Sequence, residues 1–188
     1  MIRVNNDLAN YVNRLHCSKT NDLVTEENVT SKQLIIEQGK QVFSVYIIKS
    51  GIVKCYMTQD TGLNFIQEFF GEGGIFGEIE MFNNKASFCS IETITNCSAF
   101  KIRKDDFHIL LNQDKIFNQL ILKALALKVE DKAIRHSHNQ SHTIKSNFLR
   151  LKKSFPNLNE IIPKKDLANY LGITERSLNR TLNDLKEA

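Results

Sequence analysis

Residues 163–185 read PKKDLANYLGITERSLNRTLNDL, and this stretch predicts two short helices separated by a tight turn. Pro163 favours a helix start, and Gly172 can adopt the left-handed conformation that ends a helix. Thr174 is a good N-cap for the second helix, and Ser177 stands three residues further on, which gives half of a capping box. The leucines of the second helix are expected to face inward: Leu178, Leu182 and Leu185. The pattern is typical of a helix-turn-helix.

The exposed side of the second helix carries residue types that suit contacts with DNA. Small Ala168 lets the two helices approach closely, and in this motif the second helix enters the major groove. Arginine can bond two acceptors on guanine, and glutamate can accept from cytosine. The predicted DNA-binding residues are Lys164, Lys165, Thr174, Glu175, Arg176, Ser177, Asn179 and Arg180, with the two lysines on phosphates. A structural helical hairpin with a solvated charged face is the alternative.

Between residues 34 and 102 the pattern changes to short β-branched and aromatic runs separated by glycine turns. Glycines in Gln38-Gly39, Ser50-Gly51 and Asp60-Thr61-Gly62 tolerate the positive φ that hairpin turns require. Several short strands at this spacing indicate an antiparallel barrel or sandwich. The apolar spacing at residues 7–15 predicts a short amphipathic helix before it.

A helical period returns after Lys104 and continues to about His136, with two apolar stripes. One stripe steps by three and four residues, like a coiled-coil seam interrupted by Asp131. We expect this seam to meet the same helix of a second chain while the other stripe packs on the β-module. The predicted dimer-interface residues are Phe117, Leu120, Ala124, Leu127 and Ile134, and the second stripe is Ile121, Leu125 and Val129. The alternative is a two-sided core helix within one domain.

Residues 136–142 read HSHNQSH and lack a sustained helical face, which indicates a hinge between two domains. Three histidines lie in this segment, but no cysteine or carboxylate accompanies them at ligand spacing, so we predict no metal site. The predicted division is a β-roll sensor domain at 1–113, a dimerisation helix and hinge at 114–138, and a DNA-binding domain at 139–188. A helix from Ile144 to Phe155 opens the last domain, and Pro156 is expected to end it.

Charge and composition narrow the class of protein. Residues 1–113 hold 11 Lys and Arg against 13 Asp and Glu, whereas residues 114–188 hold 14 against 8, so the C-terminal part would meet a polyanion. No apolar run approaches the roughly 20 residues that span a bilayer, and the N-terminus lacks the apolar stretch of a signal peptide. We therefore expect a cytoplasmic protein that does not bind membranes.

The four cysteines are Cys17, Cys55, Cys89 and Cys97, and their scattered positions predict buried free thiols without a metal or an iron–sulfur cluster. Cys89 and Cys97 could lie near each other on a hairpin, but a lasting disulfide is not expected in a reducing cytosol. No catalytic residue is predicted, because no nucleophile motif or P-loop is present. The glycine-rich residues 71–77 are expected to have no helix after them, which argues against a dinucleotide site.

Three segments together resemble the Crp/Fnr family of transcription regulators: residues 34–39 (LIIEQG), 45–54 (VYIIKSGIVK) and 74–78 (GIFGE). The resemblance covers nearly the whole chain. It implies an α+β fold with an N-terminal cyclic-nucleotide-binding-like β-roll, a long dimerisation helix and C-terminal DNA-reading helices. A homodimer on a palindromic DNA site is the implied assembly, with RNA polymerase as a further candidate partner.

Two departures from the family pattern shape the expected function. The family's effector pocket maps onto Gly77, Glu78, Lys85, Ser87 and Phe88, but the arginine that neutralises a cyclic phosphate is missing from residues 85–89, which read KASFC. Unmet phosphate charge in a partly buried pocket is costly, so we expect no tight cyclic AMP binding, an unknown effector or none, and no cofactor.

The second departure is the absence of the family's β-hairpin wing after the recognition helix, where residues 186–188 follow. DNA affinity would then rest more on Arg176, Arg180 and the lysines and depend strongly on salt. A ligand-sensing or protein-interaction module that has lost productive DNA binding is therefore the alternative function.

Overall fold

The computed structural model describes residues 2–18, 22–155 and 157–184, except the side chains of residues 139, 154 and 159. The predictions made for Pro156, Leu185 and residues 186–188 lie outside the described residues. The helices are α1 (Asn6–Cys17), α2 (Glu78–Asn83), α3 (Lys104–Gln113), α4 (Lys115–Ser141), α5 (Ile144–Ser154), α6 (Leu158–Ile161), α7 (Lys164–Leu171) and α8 (Glu175–Asp184). The strands are β1 (Ile2–Arg3), β2 (Thr25–Val29), β3 (Leu34–Ile36), β4 (Ser44–Ser50), β5 (Val53–Thr58), β6 (Asn64–Phe70), β7 (Ile75–Phe76), β8 (Ser90–Thr93) and β9 (Cys97–Arg103).

The strands form two facing sheets, in the orders β1-β6-β5-β8-β3 and β2-β9-β4-β7. This confirms the predicted α+β fold with an N-terminal β-roll. One edge of the first sheet departs from the antiparallel pattern, because β1 pairs parallel to β6 and Ile2 lies opposite Phe69. Parallel neighbours need a long connection, and here most of the roll lies between the two strands, so their pairing leaves no local signal.

Buried apolar side chains seal the roll on two sides. One cluster lies between the sheets and includes Val53, Phe70 and Ile91. A second cluster joins the outer face of β4 and β9 to α1, α3 and α4, with Phe100 and Phe117 fully buried. Burial of this apolar surface is the main term that holds α4 against the roll.

The predicted continuous helix after Lys104 is instead two helices, which separate at Asp114. The Asp114 side chain accepts hydrogen bonds from the backbone N–H groups of Ile116 and Phe117, both at 3.0 Å, and so caps α4. The Tyr11 hydroxyl donates to the other Asp114 oxygen at 2.7 Å. A side-chain cap of this kind stabilises a helix start by about 1 kcal/mol. The apolar periodicity continues across Asp114, so it does not reveal the break between the two helices.

At its other end α4 continues through Ser141, so the predicted hinge over residues 136–142 is helical up to its last residue. Neighbouring turns of this polar segment bond to each other. Ser141 Oγ donates to the Ser137 carbonyl at 2.8 Å, and Gln140 Nε2 lies 3.0 Å from His136 Nε2. A polar sequence can therefore remain helical without an apolar face, and the chain turns at His142.

The C-terminal helices pack against the outer face of β6. Ile66 and Phe69 of the sheet share a buried cluster with Phe148, Leu167 and Leu178. Lys54 Nζ lies 3.1 Å from a Glu92 oxygen and 3.2 Å from an Asp166 oxygen, so it joins the roll to α7. Burial lowers the pKa of Lys54, but the two carboxylates outweigh it and the net shift is upward. Within the described ranges, no helix combines the length and apolar character that crossing a membrane requires.

Candidate nucleic-acid interface and sensor pocket

The turn between α7 and α8 has the geometry that the sequence predicts. Gly172 ends α7 at φ 69°, in the left-handed region. The Ser177 backbone N–H donates to Thr174 Oγ1 at 3.2 Å, which confirms Thr174 as the cap of α8. Pro163 precedes the first residue of α7 as its N-cap. Two helices joined by three residues and capped at both sides of the turn form a helix-turn-helix.

The second helix shows one apolar and one polar face. Leu178 is fully buried, and Leu182 packs against the same cluster. Every residue predicted to bind DNA is exposed: Lys164, Lys165, Thr174, Glu175, Arg176, Ser177, Asn179 and Arg180. The polar face of α8 is therefore free of the β-roll in this structure and is presented outward.

Arg135 at the end of α4 fixes the position of this unit. Its guanidinium donates to the carbonyls of Ile66 at 3.1 Å and Tyr170 at 2.7 Å, and also to the Gln67 carbonyl. It lies over the Tyr170 ring, 3.9 Å from the ring centre. Burial lowers the pKa of Arg135, although the group has ample partners to stay charged. One side chain thus connects the sheet, the long helix and α7, a role that the sequence pattern did not indicate.

The structure brings together four of the five residues predicted for the effector pocket. Gly77, Glu78, Ser87 and Phe88 line one cavity inside the roll. Lys85, the fifth residue predicted for the pocket, is exposed and does not line the cavity, so its assignment to the pocket is wrong. A short helix, α2, follows Gly77, so the expectation that no helix succeeds residues 71–77 is wrong, although α2 has only six residues.

The buried cation that lines the pocket is Lys128, which comes from α4. Its Nζ donates to Glu78 Oε1 at 2.6 Å and to the Ile75 carbonyl at 2.7 Å, and it lies 4.8 Å from the centre of the Phe70 ring. Both charged side chains are buried, Glu78 at 0% exposure and Lys128 at 6%. The sequence carried a signal for Lys128, because it is the one charge on the buried stripe formed by Phe117, Ile121, Ala124 and Lys128.

This ion pair uses Glu78, one of the residues predicted for the effector pocket. Glu78 Oε2 is buried without a hydrogen-bond partner, and Oε1 is taken by Lys128. The remaining cavity measures about 30 Å³. A water molecule requires roughly 10–15 Å³ on that measure, so the cavity has room for about two waters and none for a nucleotide.

The cysteines pair differently from the prediction. Cys89 lies against Cys55 at a Sγ–Sγ distance of 3.0 Å, whereas Cys97 directs its thiol to the carbonyls of Ile52 and Thr95. Cys17 is exposed, and the other three thiols are buried as predicted. The distribution of the strands between the two sheets causes the difference. β5 and β8 are neighbours in one sheet, whereas β9 belongs to the other.

Some residues of the predicted dimer seam are buried within the chain, and others are exposed. Phe117 and Ala124, at 0% and 5% exposure, belong to the chain's own core, so their assignment to a dimer interface is wrong. Leu127 and Ile134 are exposed, and Leu120 is half-buried. Val129, assigned to the roll-facing stripe, instead points to solvent. The stripe of α4 that faces the roll contains Phe117, Ile121 and Ala124, which is not the predicted set. Periodicity alone does not define which side of a helix is buried.

Comparisons with known proteins agree with this architecture. Residues 26–114 match the family described as cyclic nucleotide-binding domain. The chain is 24% identical over 182 residues to Regulatory protein HlyX of Actinobacillus pleuropneumoniae, covering 89% of this chain and 74% of that protein. It is 22% identical over 176 residues to an Anaerobic regulatory protein of Aggregatibacter actinomycetemcomitans, covering 86% and 67%.

Solved structures share the fold at low sequence identity. The c-di-GMP responsive global regulator CLP of Xanthomonas campestris superposes with a TM-score of 0.74 at 17% identity, over 88% of this chain and 87% of that chain. A CooA mutant from Carboxydothermus hydrogenoformans superposes with a TM-score of 0.75 at 16% identity, over 98% and 87%.

These comparisons confirm the resemblance to Crp/Fnr regulators that was inferred from sequence, and the two solved structures share the fold of a two-sheet roll, a long helix and C-terminal helices. Residues 26–114 are the part of the chain that matches the cyclic nucleotide-binding domain family. The two curated relatives described above are named as regulators rather than as enzymes.

Proposed function

We propose that this protein is a sequence-specific DNA-binding transcription regulator that acts as a homodimer. The observation that carries the proposal is the orientation of α8, whose buried Leu178 leaves Arg176 and Arg180 exposed. Lys164 and Lys165 at the start of α7 are exposed as well. Arginines on a helix that fits the major groove supply base contacts, and lysines at the start of α7 supply phosphate contacts. The names of the curated relatives, all regulatory proteins, support the same function.

The proposed dimer forms through the part of the predicted seam that stays open. Leu120, Leu127 and Ile134 repeat every seven residues along α4, as a coiled-coil seam requires. Exposed Val4 lies near this face, at a groove that Leu127 also lines. Asp131, which interrupts the seam, is paired with Arg3 of its own chain at 2.8 Å, so its charge is already compensated. Two copies related by a twofold axis would present two α8 helices to a palindromic site.

The sensor module in this proposal does not take cyclic AMP. A nucleotide would have to displace Lys128 from Glu78 and leave a buried carboxylate without its cation, which is costly. Neither of the lysines that line the cavity, Lys128 and Lys132, offers the two-pronged contact that an arginine makes with a phosphate. The pocket therefore favours a smaller effector or a roll without an effector.

Selection from random double-stranded DNA tests the proposed DNA reading. We expect enrichment of a palindrome with half-sites about one helical turn apart. Arg180→Ala should relax base preference at one position in each half-site, by about 1–3 kcal/mol, because a base contact is lost rather than a phosphate contact. The matched control is Arg103→Ala, since Arg103 is an arginine with 79% of its side chain exposed on the β-roll. Control and wild type should select the same site.

Two results would contradict the proposal. Absence of any enriched sequence at moderate salt would favour the alternative, a sensing or interaction module without DNA binding. An equal loss by Arg180→Ala on every sequence would assign Arg180 to a phosphate instead of a base.

The dimer face is tested by placing a charge on it. Leu127→Glu should shift the protein from dimer to monomer in analytical ultracentrifugation, because a carboxylate on the seam opposes its symmetry mate. Val129→Glu adds the same charge two residues away, at a residue that is 70% exposed and lies outside the seam. This variant should remain a dimer. A dimer that survives Leu127→Glu but separates in Val129→Glu would place the interface on the opposite face of α4.

A further inference from the structure

Two cysteine thiols are in contact inside the cavity that Glu78 and Ser87 line. Cys55 lies on β5, and Cys89 immediately precedes β8, the strand paired antiparallel with β5. Cys55 is opposite Ile91, so Cys89, two residues earlier, approaches from the same face. The Cys55 thiol donates to Cys89 Sγ at 3.0 Å, and both residues are buried and line the cavity that contains Lys128. Of the described cysteines, these two are the pair in direct contact.

The separation of the sulfurs suits bond formation. A disulfide has an S–S distance of about 2.05 Å, so the two atoms need to approach by about 1 Å. Rotation of the Cys89 side chain can supply this movement, since Cys89 lies just outside the regular strand. The surrounding cavity of about 30 Å³ excludes bulky disulfide reagents but has room for a molecule of about two oxygen atoms.

We propose that Cys55 and Cys89 form a reversible modification site, at which hydrogen peroxide converts the two thiols to a disulfide inside the sensor pocket. The Cys89 thiolate attacks one peroxide oxygen, the O–O bond breaks, and the second oxygen leaves as hydroxide, which takes up the proton released by the thiol. Cys89 is then a sulfenic acid. Cys55 sulfur attacks the Cys89 sulfur, the S–O bond breaks, and water leaves with the Cys55 proton. Two thiols lose two electrons, and one peroxide becomes two waters.

The order of the two thiols follows from their contact. Hydrogen bonding to Cys89 and burial raise the pKa of Cys55, so Cys55 keeps its proton and donates it. Cys89 accepts that hydrogen bond and is the attacking sulfur, while Cys55 resolves the intermediate.

The disulfide would tie the loop before β8 to the centre of the sheet. That loop carries Ser87, which donates to Glu80 at 2.8 Å, and Phe88, whose ring lies beneath Lys132 of α4. Oxidation therefore alters the contacts between the roll and the long helix. An effect of oxidation on DNA binding rests on the proposed function, whereas formation of the bond does not.

Peptide mapping of the full chain tests the site. The protein is treated with hydrogen peroxide, the remaining thiols are alkylated under denaturing conditions, and a non-reducing digest is analysed by mass spectrometry. We expect a peptide pair linked through Cys55 and Cys89, which dithiothreitol separates. Cys55→Ser should abolish the link and leave Cys89 as a sulfenic acid that dimedone traps. Cys97→Ser, a matched loss of another buried thiol, should keep the link.

Exposed Cys17 serves as the internal control, because its oxidation shows that the peroxide was active. Oxidised Cys17 with Cys55 and Cys89 both fully alkylated would overturn the proposal, as would a link that joins Cys89 to Cys97. The wild-type result does not depend on how the variants fold. It also does not depend on DNA, so a protein that ignores DNA yet forms the link would contradict the proposed function alone.

Discussion

Replacing Lys128 with methionine should destabilise the protein strongly. Lys128→Met keeps most of the side-chain volume but removes the cation from Glu78, which is fully buried and has a second oxygen without a partner. Breaking a buried ion pair by removing one partner costs about 3–5 kcal/mol, because the other charge remains uncompensated. Domains of this size have a total stability of about 5–15 kcal/mol, so the loss is a large share of it.

The same helix offers a matched control. Lys123 forms an ion pair with Asp7 at 3.1 Å, but the two side chains are 60% and 66% exposed. An exposed pair contributes about 0–1 kcal/mol, so Lys123→Met should change stability little. A second variant, Lys128→Met with Glu78→Gln, removes both charges and should recover a substantial part of the loss, since no buried charge is then left alone.

Urea denaturation followed by far-ultraviolet circular dichroism measures these differences, which suits a chain without tryptophan. We expect the midpoint of Lys128→Met to fall while the slope of the unfolding free energy stays that of the wild type, because the change affects the native state. Equal effects of Lys128→Met and Lys123→Met would refute the reasoning. A double variant less stable than Lys128→Met would refute it as well, since that outcome would make the charge of Glu78 favourable by itself.

Two further predictions concern local geometry and pH. Gly77→Ala should cost more unfolding free energy than Gly39→Ala, because both glycines have positive φ but only the Cβ at residue 77 would meet backbone, the Ser44 oxygen at 2.6 Å. The φ cost alone is about 1–2 kcal/mol at either position, so equal losses in urea titrations would disprove the clash. Burial, together with the hydrogen bond to Asp114, raises the pKa of Tyr11 to about 12 in the folded state. The unfolded chain ionises near about 10, so the contribution of Tyr11 is fully present below that pH and is lost as the pH rises towards 12. Urea midpoints of wild type and Tyr11→Phe should therefore converge over this range, and a constant difference would contradict the assignment.

Features set by a few neighbouring residues followed from the sequence. The end of α7 at Gly172 and the start of α8 at Thr174 depend on backbone conformation and one side-chain hydrogen bond, and both are where the pattern predicts them. The strands from β3 to β9 lie in the range where short β-branched runs predict them, whereas β1 and β2 precede that range and were not predicted. Each of these features depends on interactions within one or two turns of chain, so the order of residues contains the needed information.

The partnership of distant residues was decided by the tertiary structure alone. Lys128 and Glu78 are 50 residues apart, Cys55 and Cys89 are 34 apart, and Arg135 of α4 contacts both β6 and α7. Helical periodicity shows that α4 has apolar stripes but leaves open which stripe packs on the roll, and the packed sheet places Phe117 and Ala124 inside. Sequence therefore determined the class of fold and the helix-turn-helix, because local propensities and caps specify them. Which elements pack together determines the pocket, its thiol pair and the exposed face of the long helix. That packing depends on the apolar surface buried over the whole molecule.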